Sequence, residues 1–139
     1  MPLAPPILSA LTAGVLVVMQ MALMLTVVRA RRRNRQSIGD GGNAELLAAI
    51  RRHGNFAENA AIFIAGFALL EVLGGNRTVI ATMCAAFVAG RISHVIGLSM
   101  ENTVNPFRIT GIVITASVGL SLGLGLIRVA LPNLRILFQ

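Results

Sequence analysis

Four long apolar runs, separated by short polar stretches, divide the chain. The first, residues 7–28, is 22 residues without a charge, about 33 Å at helical rise, enough to cross a bilayer's hydrocarbon core. It ends against Arg29, Arg31, Arg32, Arg33 and Arg35. A cleaved leader carries its basic residues before a shorter apolar stretch, so this order predicts a retained transmembrane helix. The second run includes Glu58 near its start and Glu71 near its end. Arg91 and His94 lie inside the third, and the fourth is charge-free from Ile109 until Arg128. Gly39-Asp40-Gly41-Gly42-Asn43 reads as a turn ending in a helix N-cap, and Ala44 to Ile50 is already helical in pattern. The second helix is therefore expected to run about 30 residues, more than the membrane needs, with its first turns beyond the bilayer. The expected helices are 7–28, 44–73, 78–100 and 108–131.

Composition sharpens this picture. Of 139 residues, 55% are hydrophobic and 12% charged, with a mean hydropathy of +0.79, which excludes an ordinary water-soluble domain. The reading is a single all-α membrane domain, a bundle of four transmembrane helices. The net charge is +7, every basic residue is arginine, and seven of the twelve lie between Arg29 and Arg52. That cluster predicts a cytoplasmic first loop. Both termini then lie outside and the third loop, 101–108, returns to the cytoplasmic side; Arg128 and Arg135 oppose this but are outnumbered. Nucleic-acid binding is excluded as a reading, because the chain has no Trp or Tyr and its six Phe fall mostly inside apolar runs. Cys84 alone makes no disulfide, and no cluster of thiols or histidines predicts a metal site.

Ionisable groups at bilayer depth cost a few kcal/mol each and usually face a bundle interior or wet cavity. Arg51, Asn55 and Glu58, spaced i, i+4, i+7, stay within roughly 40° of one another on the second helix. Arg91 and His94 form a second stripe on the third helix. Counted from the helix ends, both stripes fall in the inner half of the membrane. Arg29 or Arg31 closes the first helix there, and Arg108 opens the fourth after Pro106. All four helices are thus expected to deliver a polar or cationic group to one cytoplasm-facing cavity. Pairing of Glu58 with Arg91 is one structural explanation, but one carboxylate cannot neutralise Arg51, Arg91 and Arg108. An anionic ligand fits the remaining charge.

Arg51-x-x-x-Asn55-x-x-Glu58, Gly90-Arg91-x-x-His94 and Pro106-Phe107-Arg108, in this order on successive helices, resemble the MAPEG family, the membrane-associated proteins in eicosanoid and glutathione metabolism. The match covers the whole chain, and residues 37–43 with Arg52-His53-Gly54-Asn55-Phe56-Ala57-Glu58 look like the small bacterial members. The resemblance implies a homotrimer in a bacterial inner membrane, with glutathione as co-substrate bound between subunits near the cytoplasmic face. It implies that Arg51, Asn55 and Glu58 contact the tripeptide, that Arg29 or Arg31 reaches its carboxylates, and that Arg91 and His94 belong to the same site. Arg108 matches the arginine beside the thiol, where a guanidinium favours thiolate over thiol. The thiolate would attack a lipophilic electrophile dissolved in the bilayer, as in detoxification. Eicosanoid-type members carry tyrosines where this chain has Asn59 and Leu98, so the leukotriene and prostaglandin activities do not carry over.

Other residues are read more plainly. Arg91 and His94 are weighed as structural as well as ligand-binding, His53 as an interface residue without a nameable partner, and Glu71 as an outer-surface residue near Arg77. Gly119-x-x-x-Gly123, with Ser117, Ser121 and Gly125, offers a small-residue packing stripe. Asn76-Arg77-Thr78 is discounted as a glycosylation acceptor, and Leu137-Phe138-Gln139 is either native or a tag remnant. The expected activity is that of a microsomal-type glutathione transferase or peroxidase. The alternatives are a non-catalytic binder of glutathione or an anionic lipid headgroup in the same cavity, and a small four-helix transporter built on Glu58.

Overall fold

A computed structural model describes residues 5–99 and 105–132, together with Leu134. It comprises α1 (Ile7–Asn34), α2 (Ala44–Val72), α3 (Arg77–Gly97) and α4 (Pro106–Ala130), each long and apolar enough to cross a membrane. No strand occurs among the described residues. Met100, residues 101–104, Arg135 and the terminal Leu137-Phe138-Gln139 lie outside them.

The first helix does not stop where its apolar run stops. It continues through the arginines to Asn34, because arginine is a good helix former and its charge suits a helix C-terminus. Arg35 then takes the left-handed conformation, φ 50°, and the Gln36 N–H closes on the Arg31 carbonyl at 3.1 Å, a Schellman-type end. The Arg31 guanidinium donates to the carbonyls of Gln36, Ser37 and Gly39 at 3.4, 3.1 and 2.9 Å, folding the first loop onto itself. Asn43 caps α2 by accepting from the Leu46 N–H at 2.9 Å, and its amide donates to Asn34 Oδ1 at 2.9 Å. The second helix is 29 residues long, as its pattern implied.

Phe63 and Phe87 stack at the centre with ring centroids 4.1 Å apart, Phe67 stands edge-on to Phe87, and Leu16, Ile80, Val118 and Leu122 pack around them. Helices α3 and α4 approach so closely that a methyl on Gly97 would lie 2.5 Å from the Arg108 nitrogen, and one on Gly111 would lie 2.7 Å from the Gly90 carbonyl oxygen. This contact, rather than the expected stripe on α4, is the tight small-residue seam. Along the stripe Gly119 meets Phe63, but Gly123 has nothing within 4 Å and Ser117 and Ser121 are exposed.

Glu71 also departs from its expected place. It is 3% exposed, and accepts from the N–H groups of Leu8 and Ser9 at 3.1 and 2.9 Å and from the Ser9 hydroxyl at 2.7 Å. The first turn of α1 has no intrahelical acceptors for these amides, so a carboxylate reaching over from α2 both satisfies them and sits at the positive end of the helix dipole. The face of α2 opposite Glu58 packs on α1 instead of looking outward.

Candidate functional site

The i, i+4, i+7 stripe on α2 and the start of α4 define one cavity of about 780 Å³, lined by Arg51, Asn55, Glu58, His94, Leu98 and Arg108 among others. Local sequence sets each wall. Asn105 caps α4 by accepting from the Arg108 N–H at 2.9 Å, Pro106 occupies the first turn, and the Asn105 amide donates to the Gly97 carbonyl at 2.8 Å. The Ser93 hydroxyl donates to the Phe107 carbonyl at 2.8 Å, and the His94 ring is hydrogen-bonded to the main chain at Arg108. Three contacts from the last turns of α3, with the Asn105 cap, therefore fix the residue that presents the Arg108 guanidinium.

Arg91 stands behind this cavity instead of in it. It is 2% exposed, lies over the Phe56 ring at 5.8 Å, and donates from Nη2 to Asn55 Oδ1 at 2.6 Å and to the Asn55 carbonyl at 3.1 Å. The expected ion pair with Glu58 is absent: among the described residues the salt bridge is Arg33 with Glu45, at 3.2 Å. Asn55 outcompetes Glu58 because its main-chain and side-chain oxygens lie together where Arg91 arrives, while Glu58 points into the open, exposed side of the cavity. With Oδ1 occupied, Asn55 offers its amide N–H groups as donors. The cavity wall then carries two guanidiniums, one carboxylate and an amide donor.

A second cavity of about 580 Å³ continues from the first. It shares Asn55, His94 and Ile112 and adds Phe63, Thr115 and Leu120, with Arg91 at its back, and its exposed wall is mostly apolar. Asn59, at a position where eicosanoid-type members carry tyrosine, lines this second cavity and donates to the Asn55 carbonyl at 2.9 Å; Leu98, at the other, lines the first.

Arg29 and Arg31 enter neither cavity of the protomer. Arg31 is held by the loop carbonyls, and Arg29 faces a crevice between α1 and α2. His53 has a partner after all, Gln20, with Nε2 atoms 2.7 Å apart. Sequence reasoning missed Asn105, Gly97 and Gly111 as positioning residues. The Asn-Pro step was a readable cap signal, whereas the glycine contacts depend on the α3–α4 docking.

The MAPEG family model matches residues 9–128. The chain is 36% identical over 89 residues to "Inner membrane protein YecN" of Escherichia coli strain K12, covering 64% of this chain and 68% of that protein. The protein of the same name from Escherichia coli O6:H1 strain CFT073 matches to the same extent. No solved structure matches.

Proposed function

This chain belongs to the MAPEG family, and on that footing we propose that it is a glutathione-dependent transferase or peroxidase of the bacterial inner membrane. The observation that carries the reading is the convergence of Arg51, Asn55, Glu58 and Arg108 on one cavity next to an apolar one. Glutathione has two carboxylates, one ammonium and one thiol. Arg51 complements a carboxylate, Glu58 the ammonium, and the Asn55 amide a peptide carbonyl, which leaves Arg108 for the thiol end. A guanidinium there stabilises thiolate and brings the thiol's titration down toward neutrality. The sulfur then attacks an electrophile that enters from the lipid side through the apolar cavity, forming the new bond as the leaving group departs with its electron pair.

The cytoplasmic placement of this end follows from the arginine-rich first loop, and both termini then lie on the other side. Thermal stabilisation of the detergent-purified protein by millimolar glutathione tests binding, and ultraviolet thiolate absorbance near neutral pH tests activation. The reading expects both in the wild type, and loss of the thiolate signal in Arg108→Ala. Absence of stabilisation in the wild type would overturn it.

A further inference from the structure

The residues outside the glutathione cavity include a second basic site at the same end of the bundle. Arg29, Arg33 and Arg52, with Thr26 and Glu45, line a crevice of about 330 Å³ between α1 and α2. Three guanidiniums face a single carboxylate. Glu45 is taken by Arg33 at 3.2 Å, Arg52 donates to the neutral Ser99 hydroxyl at 2.9 Å, and Arg29 has no hydrogen-bond or ion-pair partner among the described residues. Two positive charges are left over.

Their depth identifies the ligand. The Ser9–Glu71 and Arg33–Glu45 contacts fix the antiparallel register of α1 and α2, so Arg52 lies level with the stretch around Thr26 to Val28. The three arginines therefore descend about 10 Å across the plane where the apolar run of α1 ends, the level of lipid phosphates. Below Arg29 on the same helix face, at i−4, i−7, i−11 and i−18, come Leu25, Ala22, Val18 and Leu11, with Leu25 46%, Val18 70% and Leu11 67% exposed. An arginine-rich notch above an open apolar track fits a diester phosphate with acyl chains beneath it. A free anion has no use for the track, and a zwitterionic headgroup does not neutralise the excess charge.

We propose that this crevice binds the phosphate of an anionic phospholipid, with its chains along the exposed face of α1. Arg29 is also a residue that the family resemblance offers to glutathione, so the test is placed on Arg33 and Arg52, which are outside the residues assigned to the tripeptide.

The test is native mass spectrometry and thermal stability of the full chain with phosphatidylglycerol, phosphatidylcholine or inorganic phosphate. The wild type should retain and be stabilised by phosphatidylglycerol in preference to phosphatidylcholine. The double variant Arg33→Gln/Arg52→Gln should lose that preference by roughly tenfold or more, given the worth of each basic residue near an anionic surface. Glu45→Gln, which removes the opposing charge, should increase retention and reports on the site even where the double variant fails to fold. Equal binding of the two lipids, stabilisation by inorganic phosphate alone to the same extent, or unchanged retention in Glu45→Gln would each overturn the proposal. Glutathione stabilisation, measured in parallel on the wild type, tests the other cavity separately.

Discussion

Removing the Glu71 carboxylate should loosen the bundle from the end opposite the candidate site. In Glu71→Ala the N–H groups of Leu8 and Ser9 and the Ser9 hydroxyl lose their acceptor in a place that is 3% exposed. Interhelical hydrogen bonds in bilayers average about 0.6 kcal/mol, so three of them set a floor of about 2 kcal/mol. Charge-assisted bonds to a buried carboxylate reach about 1.5–3 kcal/mol each, but the desolvation of that carboxylate is recovered when it is deleted. The net expectation is a cost of about 2–4 kcal/mol. Ser9→Ala, which removes only the hydroxyl bond, should cost about 1 kcal/mol, and should cost less still in the Glu71→Ala background because its partner has gone. Reversible unfolding in mixed micelles by titration with a denaturing detergent measures all three variants. Faster amide exchange at residues 8 and 9 provides a local readout. A Glu71→Ala cost below about 0.5 kcal/mol, or one equal to that of Ser9→Ala, would refute the idea that this carboxylate anchors α1 to α2.

Other expectations concern the site end. Arg108→Ala should raise the pKa of bound glutathione toward the free-thiol value of about 8.5, moving the pH dependence of thiolate absorbance upward while leaving most of the binding in place. Gly97→Ala drives a methyl against the Arg108 main chain, where no flexible side chain can yield, and should cost about 1–3 kcal/mol in unfolding experiments and weaken thiolate formation with it. Arg91→Leu removes both bonds to Asn55 and should lower glutathione affinity about tenfold by calorimetry, although Arg91 itself lines the second cavity and not the first. Arg31→Ala frees three carbonyls of the first loop and should speed limited proteolysis within residues 36–42.

The helices were legible because apolar length is a strong signal in a membrane chain, and the α2 stripe was legible because helical periodicity puts Arg51, Asn55 and Glu58 on one face whatever they pack against. Partner choice was not. Periodicity assigns Glu71 an angle but not a neighbour, and only the docking of α1 reveals that the face opposite Glu58 is an interior one. Arg91 was expected on Glu58 by charge alone, yet two oxygens of Asn55 lay nearer its guanidinium. The end of α1 lies beyond its apolar run for a different reason: hydropathy marks where a helix leaves the membrane, while its termination is decided by a backbone turn at Arg35. The glycines that set Arg108 in place were invisible because small residues at a helix seam announce themselves only when the facing helix is known.

The depth of Glu58 leads to one more expectation. With the register set by Arg33–Glu45 and Ser9–Glu71, Glu58 lies level with α1 residues near 20, about 13 Å below Arg29. At that depth it is within the hydrocarbon layer, yet both Glu58 and Arg51 are exposed in the isolated protomer. A carboxylate facing acyl chains costs several kcal/mol, so this face has to be covered by protein or by water and ligand held against protein. In the homotrimer that the family resemblance implies, a neighbouring subunit would supply that cover and close the cavity around a bound tripeptide. Dilution into detergent that yields monomers should therefore abolish glutathione stabilisation, and crosslinked trimers should keep it. Glutathione binding of equal strength to a verified monomer would show that one protomer builds the whole site, and the covering subunit would have to be discarded.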